Sequence, residues 1–442
     1  MSTLPRGWKE TPLGQIAALQ GGSTPKGVLS APPGAIPFYK VGDMNRSSGH
    51  FMDEARVTVA PPTADSLGLR VCPAGTVIFP KVGGAIHTNK KRVLSQPAAF
   101  DTNTMGAIPS DALYAPYLFY WLSSIRLADF AYGAPIPQVS RARLSEHPFL
   151  LPPRSEQKRI VAAIEEQFSR LDAGVAALER VRERLRLLRD KGLLALVSAS
   201  GDLQRLGDVA EIRLGRQRSP KNHTGPRLRP YLRAANVTWN GLDLRDVKLM
   251  NFSSPESSIY ELQRGDVLVA EASGSASEVG KPAIWDGSIA NCCFQNTLLR
   301  VRSDRFLPEY LYFVLLAHAR GGTFARASRG VGIHHLSKSG LSGLAVTLPA
   351  LAQQEAIVGR ARSLQTAVAR LLNDVEKQSA RVRTLRSAIL AAAFSGNLVL
   401  QDPNDEPASA LLERIAAERA SSNGHKPTRV GKPRTTRPKV PA

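Results

Sequence analysis

The stretch LDLRDVK (242–248) places Asp243, Asp246 and Lys248 within seven residues. Two carboxylates and an amine at that spacing could hold a divalent metal and activate water, as some nucleases do. A charged surface turn is the competing reading, because turns produce such triplets often. GSASEVGKP (274–282) has the outline of a phosphate-binding loop. However, five residues separate its glycines, and Pro282 stands where the magnesium-binding Ser or Thr belongs, which excludes it. There is no His-Glu-x-x-His, no Gly-x-Ser-x-Gly elbow and no Asn/Asp-Pro-Pro-Tyr/Phe run of the amino-methyltransferase kind. His334 and His335 are adjacent, hence on opposite faces of any strand, which suits no single metal. They read as a loop pair able to contact a polyanion. Cys292 and Cys293 read as buried strand residues, and three cysteines make neither a disulfide framework nor a four-ligand zinc site. These residues do not describe an enzyme acting alone, and no metal or cofactor is expected in the chain.

The charge points instead to binding. The chain carries a net +21, distributed as +5 over residues 1–150, +3 over 151–200, +6 over 201–347, +1 over 348–420 and +6 over 421–442. Two large globular segments therefore share the excess, and such a field favours a polyanion, most simply nucleic acid. On duplex DNA, Lys and Arg would meet phosphates or guanine, and Asn and Gln would suit adenine. In the first globular segment the candidates are Lys40, Asn45 and Arg46, and, in HTNKKR, His87, Asn89, Lys90, Lys91 and Arg92. In the second they are Arg216, Gln217, Arg218, Lys221 and Asn222 in RLGRQRSPKNH, then Arg233 and Asn236 in LRAAN, with His334 and His335 added as the loop pair. No stretch approaches 18 consecutive apolar residues, and MSTLPRGWKE lacks the apolar core of a signal peptide. No membrane association is expected, and with so few cysteines a cytoplasmic location is.

The elements that must position these residues occur twice. PLGQIAALQGG (12–22) matches RLGDVAEIRLG (205–215), PFYKVGDM (37–44) matches PYLRAANV (230–237), and YLFYWL (117–122) matches YLYFVL (310–315), each at an offset of 193. IPQVSRARL (136–144) matches IHHLSKSGL (333–341), and LPPRSEQKRIV (151–161) matches LPALAQQEAIV (348–358), at 197; SGDL (200–203) and SGNL (395–398) follow at 195. A period this long is duplication of a whole domain with its trailing helix rather than a solenoid. Each globular copy reads as mixed α/β: GTVIF (75–79) and GDVLVAE (265–271) predict strands, while APYLFYWLSSIRLADFA and PEYLYFVLLAHAR predict short helices.

Each trailing segment shows a seven-residue apolar period: Ile164, Leu171, Leu178 and Leu185 in the first, and Val368, Val375, Val382 and Ile389 in the second. Ile357, Leu364, Leu371 and Leu385 form a companion series. This predicts two long helices paired as an antiparallel coiled coil, each a rod of about 65 Å, holding the two domains apart. Pro152, Pro153 and Pro349 suit the helix starts and Gly201 and Gly396 the stops.

The junctions IPQVSRARL…LLPPRSEQKRIV (136–161) and IHHLSKSGL…VTLPALAQQEAIV (333–358), together with GGSTPKG (21–27), resemble the specificity subunits of type I restriction-modification systems across about residues 10–415. Gln353 stands where a Glu is usual, and the second copy has no clear Gly-Thr-Pro loop. The resemblance implies target recognition domain 1 at 1–150, spacer helix 1 at 151–200, target recognition domain 2 at 201–347, spacer helix 2 at 348–398 and a C-terminal extension at 399–442. It further implies a noncatalytic subunit that reads a bipartite double-stranded DNA target and docks two modification (methyltransferase) subunits through its helices. S-adenosylmethionine is expected in those partners, and a restriction (translocase–nuclease) subunit would join for cleavage. The tail HKPTRVGKPRTTRPKV is outside the pattern and reads as disordered. The residues alone leave open a stand-alone nucleic-acid-binding regulator, a nuclease using Asp243, Asp246 and Lys248, and a helical scaffold with incidental charge.

Overall fold

The computed structural model describes residues 4–47, 49–273, 275, 278–327 and 334–423. It resolves into two compact units, one formed by residues 1–175 with 380–442 and the other by residues 176–379. The first unit contains a five-stranded sheet in the order Ala17–Gly21, Thr104–Pro109, Val77–Pro80, Arg92–Leu94, Phe51–Met52. Beside it lies a three-stranded sheet in the order Val57–Val59, Ile36–Tyr39, Ala99–Phe100. The second unit has a four-stranded sheet, Glu211–Leu214, Leu298–Arg302, Val267–Ala270, Pro282–Ile284, and a three-stranded one, Lys248–Asn251, Leu228–Leu232, Cys293–Phe294. In both three-stranded sheets the central strand pairs antiparallel with one neighbour and parallel with the other. The duplication read from the sequence is thus a duplication of strand pairing.

Strands form where the sequence supplies short apolar runs between glycines and prolines, and Val77–Pro80 and Val267–Ala270 are buried at every position. The helices Ala115–Ser124 and Pro308–Arg320 lay Tyr117, Leu118 and Leu122, or Tyr310, Leu311 and Leu315, into the two cores. Gly22 and Gly215, one offset apart, run so close to the next strand that an added Cβ would meet the Asp101 carbonyl at 2.1 Å or the Gln295 carbonyl at 2.2 Å. A glycine is required at both places, although only the first copy carries the Gly-Thr-Pro loop.

The long helices are Arg154–Ser198 and Leu351–Phe394. Their starts explain the repeated Leu-Pro, Gln and Ile. Gln157 is fully buried; its Nε2 donates to the Ala112 and Pro152 carbonyls at 3.0 Å each, and its Oε1 accepts from Tyr114 N at 2.7 Å. Gln354 repeats this with the Arg305 and Pro349 carbonyls at 3.0 and 2.9 Å and Leu307 N at 2.8 Å. One side chain thus ties each helix start to the segment before the short helix of its domain, while Ile160 and Ile357 enter the cores. The prolines lie just upstream of the first helical residue rather than within the first turn, and the Pro153 carbonyl accepts the Gln157 N–H at 2.9 Å. At the far end of the second long helix, Gly396 takes φ +76°, with Asn397 N bonded to Ala392 O and Gly396 N to Ala393 O, a Schellman stop.

Within the first unit, Ile160, Val161 and Ile164 share a core with Leu390 and Ala393, and the Arg386 guanidinium lies 4.9 Å from the Phe168 ring centroid and pairs with Asp172. Within the second unit, Leu193 and Val197 pack with Ile357, Val358 and Ala361, and Gly192 faces Leu364. In each unit the start of one long helix meets the end of the other, the antiparallel sense expected. Val368 and Val375 are buried, but the companion positions Leu371 and Leu385 are half exposed, since a pair of helices covers only one stripe on each. The extension past 398 is not wholly a tail: the helix Ala408–Asn423 buries Ala408, Leu411 and Ile415 in the first core, and Asp405 pairs with Arg159 at 2.7 Å. The basic tail of residues 425–440 lies outside the described residues. Among the described residues, no helix is long and apolar enough to cross a membrane.

Candidate nucleic-acid interface

In the first unit, the strand Ile36–Tyr39 runs into a 3-10 turn, Val41–Asn45. Lys40 N donates to Asp43 Oδ2 at 2.8 Å and Arg46 Nη2 to Asp43 Oδ1 at 2.9 Å, so one buried carboxylate shapes the turn and holds a cation beside it. The two candidate clusters, far apart in sequence, come together here. Lys90 Nζ donates to Asn45 Oδ1, and Arg92 Nη2 donates to the Ser47 carbonyl at 3.0 Å. Lys40, Asn45, Arg46 and His87 are exposed.

Two candidates of this cluster have structural tasks. Asn89, at φ 52°, donates to the Ile125 carbonyl and accepts from Leu127 N. Lys91 is 3% exposed, its Nζ donates to the same Ile125 carbonyl at 2.9 Å, and burial pushes its ammonium down to about 7. Both staple their loop to the 125–127 segment, and Lys91 presents no side chain at the surface. Burial also lowers the affinity of Arg92 for its proton.

In the second unit, a cleft of about 360 Å³ is lined by Arg218, His223, Tyr231, Arg233, Lys248 and Leu249. Asp246 holds Arg233 Nη2 at 2.5 Å and Lys248 Nζ at 2.6 Å, and Arg218 Nε lies 3.1 Å from His223 Nε2. Gln217 and Lys221 are exposed; the side chain of Asn222 lies outside the described residues. Arg216 is largely withdrawn: it donates to Glu256 and to the Asn251 carbonyl at 2.7 Å each and lies 5.0 Å from the Phe252 ring centroid. Asn236 is buried, accepting from Arg233 N and donating to the carbonyls of Asp243 and Asp246, so it shapes the turn and does not face outward. His334 and His335 form a two-residue strand paired with Ala272–Ser273 rather than a loop, and His335 Nδ1 sits 3.2 Å from Glu271 Oε1. The side chain of His334 lies outside the described residues.

The geometry of the Asp243–Asp246–Lys248 triplet favours the charged-turn reading over the nuclease reading. Asp243 is bound by Arg245 through two nitrogens at 2.9 and 2.6 Å, which holds its carboxyl down at about 2; Lys248 likewise lowers Asp246. Both carboxylates are neutralised by cations on an exposed turn, and no group of three metal-capable side chains exists among the described residues. Residues 274, 276 and 277 of the excluded phosphate-loop look-alike lie outside the described residues, and Lys281 there is bound to Glu278 at 2.6 Å. Sequence reasoning missed His223, Tyr231 and Lys248 as cleft residues. Lys248 carries a usable signal, two residues past Asp246 at the start of an edge strand, although the triplet's spacing points to metal chemistry instead.

Two domains of one plan, each presenting basic and amide side chains beside a small three-stranded sheet, form a twin-domain arrangement suited to a polyanion. Comparison with known proteins agrees. The type I restriction modification DNA specificity domain matches twice, over residues 5–180 and 202–377, and the chain belongs to that family. It is similar to the type I restriction enzyme EcoKI specificity subunit of Escherichia coli (strain K12), at 25% identity over 96% of this chain and 98% of the relative. The StySPI specificity subunit of Salmonella potsdam is 26% identical over the same shares. A chain from a solved structure of complex assembly and conformational transition of the type I R-M system shares the fold, with a TM-score of 0.66 and 19% identity over 90% of this chain and all of that one. The protein is a DNA sequence specificity subunit with two recognition domains.

Proposed function

We propose that this chain reads a bipartite double-stranded DNA target, one half-site through each recognition domain, and docks modification subunits on its long helices. Those partners would hold S-adenosylmethionine and methylate adenine in each half-site. A restriction subunit would join the same complex for cleavage in the cytoplasm, and this chain would contribute no group to the reacting atoms. The observation that carries the reading is the duplication itself: one scaffold, fixed twice by the same hydrogen bonds, carries two unlike sets of polar loops. Two readers of the same base sequence would not need to differ there.

The partner half of the proposal is tested by isolating a tagged full-length chain from its native host. The expected result is co-isolation of a methyltransferase subunit, with methyl transfer to host-derived unmethylated DNA when S-adenosylmethionine is added. A chain that isolates alone and binds its target unaided would contradict it and favour a free-standing regulator.

A further inference from the structure

The two recognition domains place one cation at the same point, and we infer that Lys40 and Arg233 are a matched pair of phosphate clamps, distinct from the side chains that read bases. This rests on the DNA reading proposed above and assigns the contacts within it. Lys40 and Arg233 are one offset of 193 apart. Each follows the central strand of its three-stranded sheet, Ile36–Tyr39 or Leu228–Leu232, in extended backbone at φ −105° or −137°. Each opens a 3-10 turn closed by the residue three positions on: Asp43 N bonds Lys40 O at 2.9 Å and Asn236 N bonds Arg233 O at 2.8 Å. The same residue's side chain returns to the cation's own N–H, Asp43 Oδ2 at 2.8 Å and Asn236 Oδ1 at 3.1 Å. The parallel neighbour pins both strand ends alike, with Asp101 N on Tyr39 O at 3.0 Å and Gln295 N on Leu232 O at 2.9 Å.

Beyond that turn the copies part. The first continues through Asn45 and Arg46, while the second enters a strand, Val237–Thr238, paired with Gly241–Leu242. A position kept while its surroundings change suits the part of DNA that does not change with sequence, the phosphodiester backbone. The residue type agrees. A phosphate accepts either a Lys or an Arg, so this contact leaves the choice of cation free. One copy uses Lys and the other Arg. Asp246 does not cancel the site, because its single charge is divided between Arg233 and Lys248.

The test uses the full-length chain with whatever subunits accompany it, and a pool of random-sequence duplexes of one length. The variants are Lys40→Gln, Arg233→Gln and the charge-keeping Lys40→Arg and Arg233→Lys, which also serve as folding controls. Selected sequences are read, and binding to one fixed duplex is followed from about 50 to about 200 mM salt. Each Gln variant should select the wild-type motif, bind all duplexes more weakly by one factor, and lose about 0.9 from the slope of log affinity against log salt. The charge-keeping variants should keep both slope and motif. A changed base preference at one position, or a slope that does not move, overturns the assignment. A wild-type chain that selects no split motif counts against the bipartite reading, and the slope still decides the clamps.

Discussion

Replacing Gln354 by alanine should unfold the second unit far more easily than its single uncharged side chain suggests. Three backbone groups depend on that amide: the carbonyls of Arg305 and Pro349 and the N–H of Leu307, at 2.8 to 3.0 Å, the Gln354 side chain being fully buried and the Arg305 and Leu307 bonds partly so. Leaving a buried backbone group unpaired costs about 1–3 kcal/mol, and partial relaxation recovers some of the three. A net loss of about 3 kcal/mol is expected, which for a unit of this size lowers the melting temperature by about 6–12 °C. Calorimetry of the full chain should show the loss in the transition of the second unit, and Gln157→Ala should produce its counterpart in the first. Gln354→Glu adds a sign test. It keeps the acceptor for Leu307 N but turns a second oxygen toward two carbonyls, so the buried carboxyl is favoured in its protonated form. Its folded pKa then lies above the unfolded value, and stability present at low pH is lost as pH rises through the folded pKa. A loss under about 1 kcal/mol for Gln354→Ala, or no pH dependence in Gln354→Glu, would refute the reasoning.

Further expectations follow from single sites. Lys91 titrates near 7 in the folded chain and near 10.5 when unfolded, so between those values the unfolded state binds more protons and stability rises with pH. Lys91→Met should flatten that rise in urea titrations at pH 7 and pH 9 and leave the salt dependence of DNA binding unchanged; a reduced slope would mean Lys91 reaches phosphate after all. Gly215→Ala forces a Cβ to 2.2 Å from the Gln295 carbonyl at a strand edge that cannot yield cheaply, so it should cost at least about 1–3 kcal/mol. Normal melting of the variant would show that the close approach is not maintained. Asp246→Asn removes the counter-charge of Arg233 and Lys248, and should strengthen binding to unrelated DNA at low salt. Weaker binding, or loss of a cleavage activity intrinsic to the chain, would revive a metal role.

Much of the scaffold was legible because it is written twice. A repeated Leu-Pro, Gln and Ile marks a site where one buried amide does the same work in both copies, and Gly22 and Gly215 repeat because no other residue fits. The long helices were visible in their seven-residue period, although Leu371 and Leu385 share that period and remain half exposed. The interface was harder to read, since Lys, Arg and Asn look alike in sequence whether they face solvent or brace a turn. Lys91 and Asn236 look like Lys40 and Arg233 in sequence, yet the Ile125 carbonyl draws one inward and the nearby turn at Asp243 and Asp246 draws in the other. Lys248 was hidden in the opposite way, because a local triplet suggested metal chemistry while its structural task is to share Asp246 with Arg233.

The central claim is that one chain sets the DNA target by reading two half-sites. It is tested most directly by single-molecule mapping of methylated adenine in host DNA, with this chain present, deleted and restored. Deletion should remove one split motif, two short half-sites separated by a fixed gap, and restoration should return it. A methylation pattern that does not change on deletion, or a lost motif that is continuous rather than split, would contradict the claim.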